Sequence, residues 1–413
     1  MLKIVFPICC GIDVHKKFVV ACIAKTNEQN VTTYETKRFS TFTNSLRELS
    51  EWLSSNSCTD VCMESTGKYW HPVFNILENT CKVVIAHPKY VKAIRGKKTD
   101  KKDAKWIADL FKHDLVVASF IPERNIRQLR DLCRYHYKLT NLSSSEKQRT
   151  QNCLTTSNIQ LASVVSDVYG KSAQRIMAKI LENPTNPSFD VEPLLHGSMK
   201  SKIQDIKLAI DGLVTNEQAQ KLKIIEQHYN SLQLCKENLE HVIFDLAEPY
   251  EHEINLLLSV PGVKSKLTAI KIIAEVSADV SSFPTSKHLC SWAGLTPQNN
   301  ESAGKKKSVR VSKAGCYIKP LLVQCSLAAL NAKDHPEVSF RYQNLKKRRG
   351  HKRAIIAIAR MLMTAVYHIL HDKALYNPDL YSHYKLLPTS KEISLDQAIS
   401  LVKRQGYIIK TAS

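Results

Sequence analysis

Four carboxylates in this sequence could do chemistry together. Asp13 lies inside Ile8–Ala24 (ICCGIDVHKKFVVACIA), two apolar β-branched runs around a polar His-Lys-Lys turn, which reads as a hairpin. Glu64 ends the short apolar run Asp60–Glu64 (DVCME). Asp100 and Asp103 head a segment, Asp100–Lys112, in which Ala104, Ile107, Ala108 and Phe111 recur at helical spacing. Three residues apart on a helix, both carboxylates project onto one face. A carboxylate in an apolar strand is costly to bury without compensation. A cation supplies it: hard ions such as Mg²⁺ take carboxylate oxygens and a substrate phosphate as ligands. Two such ions about 4 Å apart stabilise both the attacking and the leaving oxygen of a phosphodiester. Each residue alone has an ordinary reading: Asp100 as a helix N-cap with Asp103 in the first turn, Asp13 in a turn, Glu64 on the surface. The ordered set of strand Asp, strand-end Glu and paired helix Asp is more specific than any member.

The charge around these residues favours the same chemistry. Over 413 residues, 59 Lys and Arg face 38 Asp and Glu, an excess of +21. Such an excess favours a polyanionic partner, nucleic acid first and an acidic membrane surface second. Lys89–Lys105 carries eight basic residues, Lys97, Lys98, Lys101 and Lys102 among them, against Asp100 and Asp103 alone. A second run, Lys346-Lys347-Arg348-Arg349-Gly350-His351-Lys352-Arg353, is a polyanion footprint or a solvated helix face. Tyr69 and Trp70, beside Lys68, could stack on bases, although packing on a sheet suits Trp70 better.

The elements that must position these groups differ along the chain. The first stretch, residues 1–125, alternates strands with helices, including Lys82–Ala86 as a strand, and so reads as an α/β domain with a covered mixed sheet. Residues 126–253 show almost no strand signal. There Leu222, Ile225, Tyr229, Leu232, Cys235, Leu239, Val242 and Leu246 recur at spacings of three and four, an amphipathic helix of coiled-coil type with one slip. Its partner is open: a second chain or a neighbouring helix. Residues 254–413 open on LSVPGVKSKLTAIKIIAEV, a helix, Pro-Gly turn and helix; this is either a hairpin whose amides approach phosphate or a plain helix start. The expected fold is thus α/β followed by mostly helical middle and C-terminal regions. The 12 cysteines form no paired CxxC motifs, which argues against structural zinc and for reduced thiols. No run approaches the roughly 18 apolar residues of a membrane span, so a cytoplasmic, nucleoid-associated protein is expected.

GIDVHKKFVVACIA, MESTGKYWHPVFNIL and KAIRGKKTDKKDAKWIADL resemble the RuvC-like domain of DEDD insertion-sequence transposases, the IS-one-ten family. The later stretch LLLSVPGVKSKLTAIKIIAEV, with FPTSKHLCSWAGLTPQNNESAGKKKSVRVSKAG, resembles that family's C-terminal transposase domain. The resemblance implies an RNase-H-like sheet on which Asp13, Glu64, Asp100 and Asp103 bind Mg²⁺, two ions being expected. It implies a serine nucleophile in a Ser-Gly-rich motif, which falls here on Ser302, and a covalent phosphoserine–DNA intermediate. It further implies donor and target DNA as substrates, a structured bridge RNA as guide, and dimers that join into a tetramer with a composite site. Beside Ser302 the sequence departs from the usual Ser-Ser-Gly-Gly, reading Glu301-Ser302-Ala303-Gly304. Cys316 and Lys319 stand where an Asn and an Arg are usual. Residues 303–319 hold six basic and no acidic side chains, and Lys305, Lys306, Lys307, Arg310 and Lys313 are expected on phosphates. Two alternatives stay open: a metal-only junction endonuclease of RuvC type, and a decayed protein that binds nucleic acid without cutting it.

Overall fold

The computed structural model describes residues 2–65, 67–87, 91, 99–185, 189–297, 300–302, 305–308, 310–381, 399 and 404, with 300–302, 305–308, 380 and 381 described in the backbone only. The chain divides into two compact units, Met1–Pro122 and Glu123–Ser413.

The first unit is built on a five-stranded sheet. β1 (Ile8–Val14), β2 (Phe18–Thr26) and β3 (Thr32–Ser40) form an antiparallel meander, and β4 (Asp60–Glu64) and β5 (Lys82–Ala86) add in parallel, giving the order β3-β2-β1-β4-β5. Helices cover both faces, so β1 and β2 are buried nearly throughout and read as unbroken apolar runs. On one face α1 (Thr43–Ser55) and α2 (Trp70–Leu77) pack Leu49, Leu53, Trp70, Val73 and Leu77 against Cys10, Ile12 and Val14. Truncating a fully buried leucine such as Leu53 would cost about 2–5 kcal/mol. On the other face α3 (Asp100–Lys112) brings Ile107, Ala108 and Phe111 against Cys9, Cys62 and Ala86. Trp70 belongs to the first core and stacks on His71 at 3.8 Å, so its ring packs on the sheet. This is the RuvC-like α/β domain expected, followed by a helical remainder.

In the second unit α4 (Arg124–Thr156) and α5 (Asn216–Ala247) pack against each other within one chain. The coiled-coil pattern on α5 holds in its first half, where Leu222, Ile225 and Leu232 are buried. After the slip the buried residues are Ile243 and Ala247, while Val242 and Leu246 face solvent. The Pro261–Gly262 turn precedes α6 (Lys266–Val276). Its glycine, at φ +83°, lies so close to Cys325 O that a Cβ would sit 2.0 Å away. That turn packs its glycine against α7 (Ile318–Ala329), while Lys264 and Ser265, which follow it, are exposed. α8 (Pro336–Arg349) and α9 (His351–Asp372) follow. By length and composition α9 is apolar enough to cross a membrane, but Arg360 and His368 interrupt its apolar run, 67% of its apolar window is buried, and it is the unit's core helix.

Candidate metal centre and serine hairpin

Strand alternation sets the first site. Cys10, Ile12 and Val14 of β1 point to the α1/α2 core, so Cys9, Gly11 and Asp13 point to α3. β4 runs parallel to β1 with Ile12 opposite Met63, and Val61 and Met63 face the α1/α2 core. Glu64 therefore ends the adjacent strand on Asp13's face.

Gly11 then brings the helix in. A Cβ there would lie 2.3 Å from Ala108 N and 2.4 Å from Ala104 O, so α3 rests directly on the β1 backbone. Cys9 donates its thiol to Ala108 O at 3.7 Å, which orients the helix antiparallel to the strand. One turn before Ala104 comes Asp100, and one pleat beyond Gly11 comes Asp13. Thr99 is the N-cap, accepting from Lys102 N, so Asp100 is the first helical residue and is not the cap. Both Asp100 and Asp103 occupy the first turn, where the helix dipole favours negative charge.

Asp13, His15 and Asp100 converge, with ligand atoms all within 4.8 Å of one another. His15 Nε2 lies 3.1 Å from Asp13 Oδ2 and 3.6 Å from Asp100 Oδ1, bridging the two carboxylates. Its ring packs on Phe18 at 4.6 Å. Burial pushes the Asp13 carboxyl above its ordinary range; His15 opposes the shift, and the charges of Asp103 and Asp100 add to it. Asp103 is thus within electrostatic reach, although it and Glu64 stand outside the closest group. His15 is a residue that sequence reasoning assigned only to a turn, yet two residues after Asp13 it shares that residue's side of the chain. Lys101 and Lys102 are exposed beside the site; Lys97 and Lys98 lie outside the described residues.

The donor set suits a hard cation. Carboxylate oxygens from a strand and a helix start meet at one place, and burial makes the charged form of one of them, Asp13, costly. The imidazole is the one soft partner, and it fills the space between the carboxylates.

Ser302 lies in the second unit, on a two-stranded ribbon of β6 (Asn300–Ser302) and β7 (Lys305–Ser308). Ser302 pairs with Lys305, which puts it at the ribbon's tip, next to the connecting residues 303 and 304. Ala303 and Gly304 are themselves outside the described residues, as are the side chains of Ser302, Lys305, Lys306 and Lys307. The stems below are clasped. A Cβ on Gly294 (φ +67°) would meet Ala314 O at 2.5 Å, and one on Gly315 (φ +66°) would meet Ala293 O at 2.1 Å. The two chain segments thus cross backbone on backbone, a contact only glycine allows. Lys319 ties the return stem by donating to Ser312 O at 2.6 Å. Pro297 and Val311 bridge between the stems. Lys313 and Arg310 are exposed beside them.

Lys346, Lys347, Arg348 and Arg349 are exposed in the last turn of α8, where cations suit the negative helix end. After Gly350 (φ +78°), His351, Lys352 and Arg353 open α9, where cations oppose the dipole.

Residues 10–159 match the DEDD-type IS110 transposase domain, and residues 254–343 match the domain described as "Transposase IS116/IS110/IS902 family". The chain belongs to the IS110 family of transposases. The two IS110-family segments together cover more than half of the chain, and they contain all four candidate carboxylates and Ser302. Among relatives, the chain is 30% identical over 125 residues to the insertion element IS900 uncharacterized 42 kDa protein of Mycobacterium paratuberculosis, covering 30% of this chain and 31% of that protein. It is 28% identical over 124 residues to the insertion element IS110 uncharacterized 43.6 kDa protein of Streptomyces coelicolor, covering 29% of each. A pilin gene-inverting protein of Moraxella bovis is 28% identical over 141 residues, covering 32% of this chain and 42% of that protein. The aligned segments span less than half the length of each of these curated relatives.

Proposed function

We propose that this chain is a DNA recombinase that cuts and rejoins strands at the ends of an insertion sequence. The observation that carries the reading is the convergence of Asp13 and Asp100, from a strand and a helix start, inside a domain of DEDD type. In this reading Asp13, Glu64, Asp100 and Asp103 hold Mg²⁺, with two ions expected. Bound Mg²⁺ would neutralise the non-bridging oxygens of a DNA phosphate and lower the barrier to attack on it. Asp13 and Asp100 fix the position of that phosphate, while Lys101, Lys102, Lys97 and Lys98 hold the flanking strand.

Ser302 is the proposed nucleophile. Its Oγ forms a bond to phosphorus as the P–O bond of the strand breaks, and the hydroxyl proton leaves to a base or to water. The product is a phosphoserine linkage and a free DNA hydroxyl. Attack by the hydroxyl of a second strand reverses the step, forms the new phosphodiester and returns the serine. No bond energy is lost to hydrolysis. Placement of Ser302 at a ribbon tip, with Ala303 and Gly304 beside it, suits close approach to a DNA backbone. Lys305, Lys306, Lys307, Arg310 and Lys313 would hold phosphates there, and Lys346, Lys347, Arg348 and Arg349 extend the footprint. A structured guide RNA and a dimer that assembles to a tetramer complete the proposal.

The test is a cognate element end carrying a labelled strand. Wild type should form a covalent protein–DNA adduct, and Ser302→Ala should form none. Undiminished cleavage by Ser302→Ala would leave the metal-only endonuclease in place. Equal inertness of wild type and Asp13→Ala, with DNA binding intact, would leave a binding protein. Sequencing of RNA that copurifies with the chain tests the guide.

A further inference from the structure

We infer that a cavity between α4, α6 and α7 of the second unit takes a single unpaired nucleobase, with its strand phosphate, from a nucleic-acid chain. The cavity holds about 210 Å³, room for one heteroaromatic ring system and some water. It is lined from one face of each helix, at spacings of three and four: Cys133, Tyr137, Asn141 and Ser144 on α4, and Leu321 and Gln324 on α7.

Its floor is rigid. Arg134 and Glu275 form a bidentate pair, Nε to Oε1 at 2.7 Å and Nη2 to Oε2 at 2.9 Å. Arg130 donates to the carbonyls of Ala274 and Glu275 at 2.7 and 2.8 Å, tying α4 to the end of α6. The charges of Arg134 and Glu275 neutralise each other, so that pair needs no ligand.

Its walls are not used up in this way. Tyr137 and Tyr317 meet at 5.5 Å with planes 78° apart, and the Arg134 guanidinium sits 4.6 Å from the Tyr317 ring and steadies it. Both rings line the cavity and give it aromatic surface. The side-chain amides of Asn141 and Gln324 line the cavity and make no hydrogen bond among the described residues. Each offers a donor and an acceptor, the pattern of a base edge. Lys271 adds a cation. It donates to His136 Nδ1 at 3.1 Å, and His136 Nε2 donates to Glu240 Oε1 at 2.7 Å, so no carboxylate pairs with Lys271 directly among the described residues.

An apolar ligand would leave the amides and Lys271 unmatched, and a bare anion would leave the aromatic faces unused. A base with its phosphate uses all three. Asn141 and Ser144 are exposed at the rim and Cys133 and Glu275 are buried, so a base would enter from the solvent side. Enzymes that act on a base extrude it in this manner and read it by stacking and edge bonds. Tyr317 lies just beyond the clasped stem of the serine ribbon, so an extruded base would mark strand position near that ribbon.

The inference rests on reading the chain as a nucleic-acid enzyme, and the experiment separates the two. Single-stranded DNA and RNA oligonucleotides, with 5-iodouracil at successive positions, are bound to the full chain and irradiated. Adducts are mapped by mass spectrometry and total binding by fluorescence anisotropy. The expected result is an adduct on Tyr137 or Tyr317. Its yield should fall at least tenfold in Asn141→Leu/Gln324→Leu, with total affinity reduced less than about threefold and an unchanged melting curve. The oligonucleotide that gives the adduct identifies the source as DNA or RNA. Binding with adducts only outside the cavity, or an equal yield in the variant, overturns the inference alone. Absence of binding overturns both readings.

Discussion

The carboxylate end of the sheet and the serine ribbon are held by opposite means. The first is placed by dense packing. A glycine in a buried strand lets a helix rest its Ala104 and Ala108 on the backbone, and the chemistry sits one turn beyond. The ribbon is placed by two backbone crossings at its base, Gly294 on Ala314 and Gly315 on Ala293, with the serine at the far end. The first arrangement suits ion coordination, which needs oxygens fixed to a fraction of an ångström. A ribbon clasped only at its stem suits a nucleophile that must meet a large substrate.

Removing a carboxylate should have the largest effect. Asp13→Asn or Asp100→Asn should slow strand cleavage about 10³-fold, of order 4 kcal/mol in the barrier, with DNA binding nearly unchanged. Single-turnover cleavage and a filter-binding assay read the two quantities. The glycines come next. Gly11→Ala and Gly315→Ala each force a Cβ into backbone and should each cost about 3 kcal/mol in chemical denaturation. Only Gly11→Ala should also weaken Mg²⁺ binding in calorimetry. An equal loss in Gly315→Ala would break the contrast between the two regions.

Replacing Lys346, Lys347, Arg348 and Arg349 by alanine should lower the slope of log affinity against log salt by up to about 3–4, since each phosphate contact contributes close to one counterion. A slope unchanged by all four would return that run to a solvated helix face. The smallest effect is on thermal stability. The Asp13 carboxyl is raised in the fold, so its stabilising contribution is complete below its ordinary unfolded value and is lost as pH rises through the raised one. Metal-free Asp13→Asn should therefore melt above wild type at neutral pH, and the gap should close on acidification. Mg²⁺ should raise the melting point of wild type and not of the variant.

Local pattern made much of this legible in advance. The strands Asp60–Glu64 and Lys82–Ala86 and the helix Asp100–Lys112 lie where apolar periodicity puts them, because each buries a full face. β3 and α1 were not legible. β3 is an edge strand whose alternating residues, TTYETKRFS, are half exposed and polar, and α1 begins at Thr43 after an N-cap, Phe42, that offers no side-chain bond. The β6/β7 ribbon is not legible in the basic stretch either, since KKKS carries no strand signal and is held by cross-strand pairing and the stem clasps. On α5 the second half turned a different face to its neighbour than the heptad spacing indicated.

Residue order alone decided which groups are present and which neighbours share a face. Asp100 with Asp103 on one turn and the basic runs follow from bonded geometry and short-range repeats. The meeting of Asp13 with Asp100, 87 positions apart in number, needed the tertiary structure, because it depends on the distance at which a helix can rest on Gly11. The same holds for His15. Whether an imidazole two residues from a carboxylate is a turn residue or a bridge between two carboxylates is decided by what the fold places opposite it.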